Sequence, residues 1–185
     1  METMTSRERF SRMYAHKEAD RVPITDIPWQ GTISRWRREG MPAGADWREY
    51  FGVDKVEGIS VDISPQYPCT VVEDNARYQI VTSPWGVTMK QFKEEDSTPE
   101  FLDFKVCTPE AWEEAKARMA YSPDRIPWDY LQDAYPRWKA EGSWIQAGFW
   151  FGFDVTHSWM AGTETLLIAL LEEPEWVKDM FDTYL

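Results

Sequence analysis

Segments with helical periodicity alternate along this chain with short apolar segments that have the composition of buried β-strands. Three of these apolar segments, Val22–Thr25, Lys55–Asp62 and Trp144–Trp150, are separated by helical patterns. The alternation favours an α/β fold with parallel strands, because a parallel connection needs a crossover long enough to hold a helix. Periodicity and capping signals predict helices near residues 5–17, 32–39, 46–52, 108–120, 127–141, 154–161, 163–171 and 174–184.

The stretch after the second strand differs in character, because turn residues rather than helices separate its β-rich runs. The runs are 70–73, 77–82 and 87–92, with Asp74–Asn75 and Ser83–Gly86 between them. This pattern is typical of consecutive antiparallel strands. We therefore predict an antiparallel meander inserted at about residues 66–95, with a charged loop over residues 93–99.

The composition limits the classes of function that the chain can have. Its formal net charge is −12, and so acidic a chain repels phosphates, so we expect neither nucleic acid nor a membrane as a partner. No apolar run reaches the roughly 18 residues of a membrane span, and the N-terminal segment is charged, so we expect a cytoplasmic protein. Cys69 and Cys107 have no nearby histidine in sequence, and we predict no metal site within the chain.

Four segments, taken in order, resemble the uroporphyrinogen decarboxylase family, which includes cobalamin-dependent methyltransferases. They are Arg7–Phe10 with Asp20–Pro23, then Trp85–Thr88, then Val106–Ala120, and finally Gly148–Leu171 with Glu173–Val177. The resemblance implies a partial (β/α)8 TIM barrel with the meander as an insertion. It also implies that residues 1–185 are the N-terminal part of a single barrel domain, since a closed barrel takes about 250 residues.

The resemblance also suggests catalytic and substrate-binding residues near the first two strands. The family's catalytic aspartate ends the second strand, and Asp62 matches that position in the segment Ser60–Ile63. The alternative from the residues alone is that Asp62 caps the turn before Ser64 and Pro65. The decarboxylases carry substrate-binding arginines after the first strand, but residues 26–32 contain none here. In this stretch we predict Asp26 and Trp29 as substrate-binding residues.

A second group of candidates follows the strand at Trp144–Trp150. Trp150 has a flat face suited to a planar ligand, and Ser158 falls where the family places a tyrosine. His157 is a candidate acid or base, and Asp154 lies three residues earlier on the same helix face, where it is predicted to orient the imidazole and contact substrate. The alternative for His157 is a structural histidine with satisfied hydrogen bonds.

The missing arginines and the Trp85–Thr88 match favour a methyltransferase-like member that moves a methyl group between a corrinoid or small methylated substrate and an acceptor. The first alternative is decarboxylation of the acetate side chains of uroporphyrinogen, a tetrapyrrole, and the second is a non-catalytic half-barrel that needs a partner chain. For a full-length protein the family implies a corrinoid and zinc as cofactors. A corrinoid protein and a second copy of the chain, forming a homodimer, are the expected protein partners.

Overall fold

A computed structural model describes residues 3–93 and 97–185, so part of the predicted loop at 93–99 and the end of the predicted meander region lie outside the described residues. The strands are β1 Val56–Ser60, β2 Val71–Asp74, β3 Tyr78–Thr82, β4 Val87–Phe92, β5 Glu100–Phe104 and β6 Trp144–Gly148. The helices are α1 Ser6–Tyr14, α2 Gln30–Arg38, α3 Trp47–Phe51, α4 Pro109–Arg118, α5 Trp128–Ala140, α6 Phe153–Val155, α7 Thr163–Glu172 and α8 Pro174–Thr183. A 3-10 turn at Pro123–Arg125 and a π-helical turn at Thr156–Met160 complete the regular elements. Among the described residues, no helix is both long and apolar enough to cross a membrane.

The chain divides into two compact units. Unit 1 comprises the described residues of Met1–Val61 and Ile126–Gly148, and unit 2 those of Asp62–Arg125 and Phe149–Leu185. Unit 1 contains the parallel pair of strands β1 and β6, which run in register from Val56 opposite Trp144 to Ser60 opposite Gly148. Helix α1 packs on this pair, because the ring of Phe10 stacks on that of Trp144 at 5.2 Å.

Four charged side chains form an ion cluster in unit 1: Arg9, Asp20, Arg21 and Asp54, of which Arg9 and Asp54 are buried. Arg9 donates to both carboxylates, and its side chain is only 4% exposed, while that of Asp54 is fully buried. Burial raises the pKa of Asp54, but hydrogen bonds from the Ile24 amide, Ser6, Arg21 and Arg9 outweigh it and hold the pKa below its ordinary value. The guanidinium of Arg9 likewise lowers the pKa of Asp20. The ion pair between Arg9 and Asp20 therefore joins Arg7–Phe10 to Asp20–Pro23, the first two segments on which the family resemblance rests.

Unit 2 is built on a four-stranded antiparallel sheet in the order β2-β3-β4-β5. Its core is apolar and includes side chains from the sheet and from the helices of the unit. Fully buried members are Val87, Val106, Trp112, Val155, Met160, Leu166 and Met180. Burying side chains of this size is the main stabilising contribution in a unit of this kind.

The prediction of a partial (β/α)8 TIM barrel is wrong. The described residues contain only two parallel strands, β1 and β6, and the meander is a separate antiparallel sheet rather than an insertion into a barrel wall. The fold is mixed α/β. The meander also has a fourth strand, β5, that was not predicted from the sequence. It pairs with β4, with Val87 opposite Phe104.

The strand predicted at Val22–Thr25 does not join the parallel pair. Residues Val22–Thr25 are extended but form no ladder. Pro23 lacks an N–H group, and Asp54 engages both backbone groups of Ile24: its carboxylate accepts the Ile24 N–H, and its own N–H donates to the Ile24 carbonyl, each at 2.9 Å. Ile24 is therefore bound to a residue that precedes β1, and the pairing does not continue along the strand.

Candidate functional site

An exposed group of aromatic side chains lies at the start of the second segment of unit 2. We call it the aromatic rim and define it as Phe149, Trp150, Phe151 and Phe153. Each of these side chains is about half exposed, from 46% for Phe153 to 55% for Phe151. Large apolar side chains exposed side by side are uncommon on a protein surface and mark binding sites more often than isolated ones do.

Ring contacts hold the aromatic rim in place. Trp150 stacks on Trp159 with the ring centroids 5.8 Å apart, and Trp159 in turn meets the edge of Phe101 on β5 at 5.5 Å. Phe149 and Phe151 contact each other at 5.4 Å. Offset-stacked and edge-to-face pairs are the favoured arrangements of aromatic rings. The exposed faces are therefore presented on a packed support from the sheet.

The rim continues into a helical segment whose hydrogen bonding changes within two turns. It begins as α6 at Phe153 and becomes a π-helical turn, in which the Ala161 N–H donates to the Thr156 carbonyl five residues back at 2.8 Å. Val155, Thr156 and Met160 are fully buried and fasten the segment to the core of unit 2. Single π-helical turns occur often at functional sites, because the added residue redirects the neighbouring side chains.

His157 lies on this π-helical turn and is contacted on two sides and on one face of its ring. Its Nδ1 is 3.1 Å from the hydroxyl of Thr163, and its Nε2 is 3.8 Å from a carboxylate oxygen of Asp154. The ring of Phe153 stacks on the imidazole at 4.9 Å. The side chain remains 28% exposed, so a ligand on the rim can approach it.

The structure brings together several of the predicted residues of unit 2. Asp154 and His157 share a helix face as predicted, and the Asp154 side chain is 77% exposed. The hydroxyl of Ser158 donates to the backbone carbonyl of Asp154, so it is engaged in the helix. Trp150 stacks on Trp159, the residue after Ser158. The structure thus brings Asp154, His157 and Ser158 together, whereas Trp150 packs against Trp159.

The carboxylate of Asp62 accepts hydrogen bonds from residues that follow it closely in the sequence. One carboxylate oxygen accepts from the amide of Ser64 at 2.9 Å and from its hydroxyl at 2.6 Å, and the other accepts from the side chain of Gln66 at 2.9 Å. Burial raises the pKa of Asp62, but these hydrogen bonds outweigh it and lower the pKa overall. Arg125 donates to the backbone carbonyl of Asp62. This is the geometry of an aspartate that caps a turn, and a catalytic role for Asp62 stays a prediction.

The remaining two candidates belong to unit 1. Asp26 accepts a hydrogen bond from the amide of Ile27 at 2.7 Å, and Trp29 precedes α2 with 57% of its surface exposed. Both side chains are accessible within their unit. Their proposed contact with substrate stays a prediction.

Within residues 3–93 and 97–185, no group of three or more histidine, cysteine or carboxylate side chains is arranged to hold a metal ion. Both cysteines are exposed free thiols. Burial raises the pKa of the Cys107 thiol, whose Sγ donates to the Phe104 carbonyl.

Of the four side chains of the aromatic rim, only Trp150 was predicted from the sequence as a site residue. Phe149 lies in the predicted strand, Phe151 and Phe153 lie between that strand and the predicted helix, and Trp159 and Thr163 had no assigned role. A signal was present, because four aromatic residues fall within Phe149–Phe153. Such a run does not alternate as a half-buried strand would, and this departure favours an exposed aromatic surface.

A scan against models of protein families matched none, and searches of curated proteins and of solved structures found no significant match.

Proposed function

We propose that this protein takes part in methyl transfer and that the rim site of unit 2 binds the small methylated substrate. The observation that carries the proposal is the position of His157, held by Thr163 and beside Asp154, with the half-exposed ring of Phe153 stacked on its imidazole. An apolar methyl group gains by leaving water for such a surface. The four-segment resemblance supports methyl transfer as the reaction class, and the exposed free thiols support a cytoplasmic setting.

The reaction needs a donor, which this site binds, and an acceptor with an available electron pair. The acceptor's pair forms the new bond to the methyl carbon, and the pair of the breaking bond stays on the donor atom. A thiolate or a reduced corrinoid, as a second substrate, is an acceptor of the required class. The protein's part is to hold the donor in line for the attack, since orientation lowers the barrier of a bimolecular step.

In this proposal His157 is the acid that protonates the donor atom. After the methyl group departs, the donor atom carries an extra electron pair, and protonation of that atom prevents the reverse reaction. Thr163 at Nδ1 and Asp154 near Nε2 orient the imidazole for this proton transfer.

The proposal is tested by supplying the full chain with a methyl donor and free cob(I)alamin under anaerobic conditions. Donors of three classes are compared: a methylated ammonium, a methyl sulfonium and an aromatic methyl ether. We expect protein-dependent formation of methylcobalamin, followed by its absorbance, with at least one class. His157→Gln should lower this rate at least about 100-fold, the usual contribution of a positioned acid or base.

The matched control is His16→Gln, because His16 is the other of the two histidines and lies in unit 1. It should leave the rate unchanged. If no donor class gives protein-dependent methylcobalamin, or if His157→Gln retains the full rate, the proposed function is wrong.

A further inference from the structure

We infer that the outward face of α7 is a docking surface for an amphipathic helix of another protein, one that carries a basic side chain at each end of an apolar stripe. The inference goes beyond methyl transfer and does not depend on it. It rests on the spacing, exposure and charge of the side chains of α7, Thr163–Glu172, all of which belong to unit 2.

Helix α7 has one face in the core of unit 2 and an apolar face turned to solvent. Leu166 is fully buried, and Ala169 is 4% exposed. Leu167 and Ile168 are about half exposed, and Leu171 is 87% exposed. A helix on the surface of a globular unit normally carries polar side chains on its outward face. The outward face of α7 is instead apolar at its centre, and such exposed apolar patches mark interaction sites.

Helical spacing places a carboxylate at each end of this apolar face. Glu164, Ile168 and Glu172 follow one another at intervals of four residues and form one row, and Leu167 and Leu171 form the row beside it. All five residues are exposed, and we call the surface that they form the α7 face. At a rise of about 1.5 Å per residue, the two glutamates are about 12 Å apart along the helix axis. Rows of side chains of this kind are the surface on which a second helix packs.

The charge of the α7 face fits a partner with basic side chains. Residues 140–177 contain no lysine or arginine, so this segment supplies no cation to Glu164 or Glu172. Within the described residues, 3–93 and 97–185, neither carboxylate forms an ion pair. The carbonyl end of α7 adds partial negative charge beside Glu172. A lysine or arginine at each end of a partner's apolar stripe is therefore attracted to this face.

The same charges disfavour a second copy of this chain as the occupant. If two copies paired through α7 in antiparallel orientation about Ile168, Glu164 of each would face Glu172 of the other. In parallel orientation each glutamate would face its equivalent. Both arrangements bring like charges together at the ends of the apolar contact, which is unfavourable. A partner helix with the same apolar stripe and the opposite charge avoids this repulsion.

Two designed peptides probe the α7 face, each an alanine-based helix with leucines along one side. One carries a lysine at each end of the leucine stripe, at the spacing of Glu164 and Glu172, and the other carries glutamate at the same two positions. Binding of each labelled peptide to the full chain is measured by fluorescence anisotropy. We expect the lysine peptide to bind at least about tenfold more tightly. Raising the ionic strength should reduce this ratio, because salt screens exposed charges.

Substitutions on α7 locate the binding. Leu171→Ser should lower the affinity for the lysine peptide about tenfold, because it removes the most exposed apolar side chain of the α7 face. The double variant with Glu164→Gln and Glu172→Gln should bind the two peptides about equally. The matched control is Leu185→Ser, since Leu185 is 86% exposed and also belongs to unit 2, but lies outside α7. It should leave both affinities unchanged.

Equal affinities of the unaltered chain for the two peptides would overturn the inference, as would an absence of binding or full binding by Leu171→Ser. Sedimentation of the chain alone distinguishes the two occupants. A dimer that Leu171→Ser converts to a monomer would assign the α7 face to a second copy and would also overturn the inference, whereas we expect this variant to sediment as the unaltered chain does. These outcomes are separate from a failure of methyl transfer, because neither measurement involves a methyl donor.

Discussion

Replacement of Asp54 by asparagine tests whether the ion cluster stabilises unit 1. The fully buried carboxylate accepts from the Ser6 hydroxyl at 2.9 Å, from the Ile24 amide at 2.9 Å and from Arg21 at 2.7 Å, as well as from Arg9. Asparagine has nearly the same shape, but it loses the negative charge and turns an N–H₂ group toward guanidinium donors.

The expected cost follows from what remains after the substitution. Removing one partner of a buried ion pair destabilises a protein by about 3–5 kcal/mol, because the other charge stays buried without compensation. Here Arg9 keeps its contacts with Asp20, at 2.7 Å from Nε and from Nη2. We therefore expect the lower end of the range, about 3 kcal/mol. This is a large share of the 5–15 kcal/mol that is typical of a whole domain.

The assay is native-state hydrogen exchange at the amides of β1 and β6, because it reports on unit 1 separately from unit 2. The control is Asp133→Asn, an exposed aspartate on α5, which should change the free energy of unfolding by less than about 0.5 kcal/mol. If Asp54→Asn lowers this free energy by less than about 1 kcal/mol, the ion cluster does not stabilise unit 1 as argued.

Three further predictions concern stability. Because the carboxylates of the ion cluster have lowered pKa values in the folded state, their stabilisation is complete above the unfolded-state pKa of about 4 and is lost as the pH falls below it; the free energy of opening at β1 and β6, obtained from hydrogen exchange relative to the intrinsic exchange rate at each pH, should fall below about pH 4, and a pH-independent free energy would contradict this. Gly162→Ala should lower the thermal midpoint of unfolding, since Gly162 has φ +82° and a Cβ would lie 2.9 Å from the ring of Phe104, whereas Gly148→Ala, with no atom within 4 Å, should have little effect. Trp112→Phe removes the indole hydrogen bond to Asp179 at 2.7 Å and should cost about 2 kcal/mol in urea unfolding of unit 2; a loss below about 0.5 kcal/mol would show that this bond is not stabilising.

Helix positions could be predicted from the sequence because their signals are local. Helix α1 begins with a capping box, with the Glu8 amide donating to the Thr5 hydroxyl and the Glu8 carboxylate accepting the Thr5 N–H. Asp46 caps α3, and Gly52 ends it in the left-handed conformation at φ +65°. A cap is formed by groups within four residues of one another, so the sequence contains all of its parts.

The pairing of β1 with β6 was also predictable in kind. Both segments are apolar runs of strand length separated by helices, and a parallel arrangement follows from that separation. The number of strands was not predictable in the same way. Val22–Thr25 has strand composition, but the N–H of Ile24 is bound by the Asp54 carboxylate rather than by a neighbouring strand, and neither residue indicates the other in the sequence.

In the candidate site, too, local contacts could be predicted from the sequence and contacts between distant residues could not. The Asp154–His157 pair could be predicted, because a spacing of three residues places both side chains on one helix face. The support that Phe101 gives to Trp159 could not, because the two lie on a strand and a helical turn far apart in the chain.

Local hydrogen bonds and helical spacing were therefore determined by the sequence itself. The ion pair between Arg9 and Asp54, which are 45 residues apart, and the ring contacts of the rim were decided by the tertiary structure. Such contacts form only when folding brings distant segments together and buries them. Their energies depend on the burial and distances reached in the folded chain, which the order of residues alone does not specify.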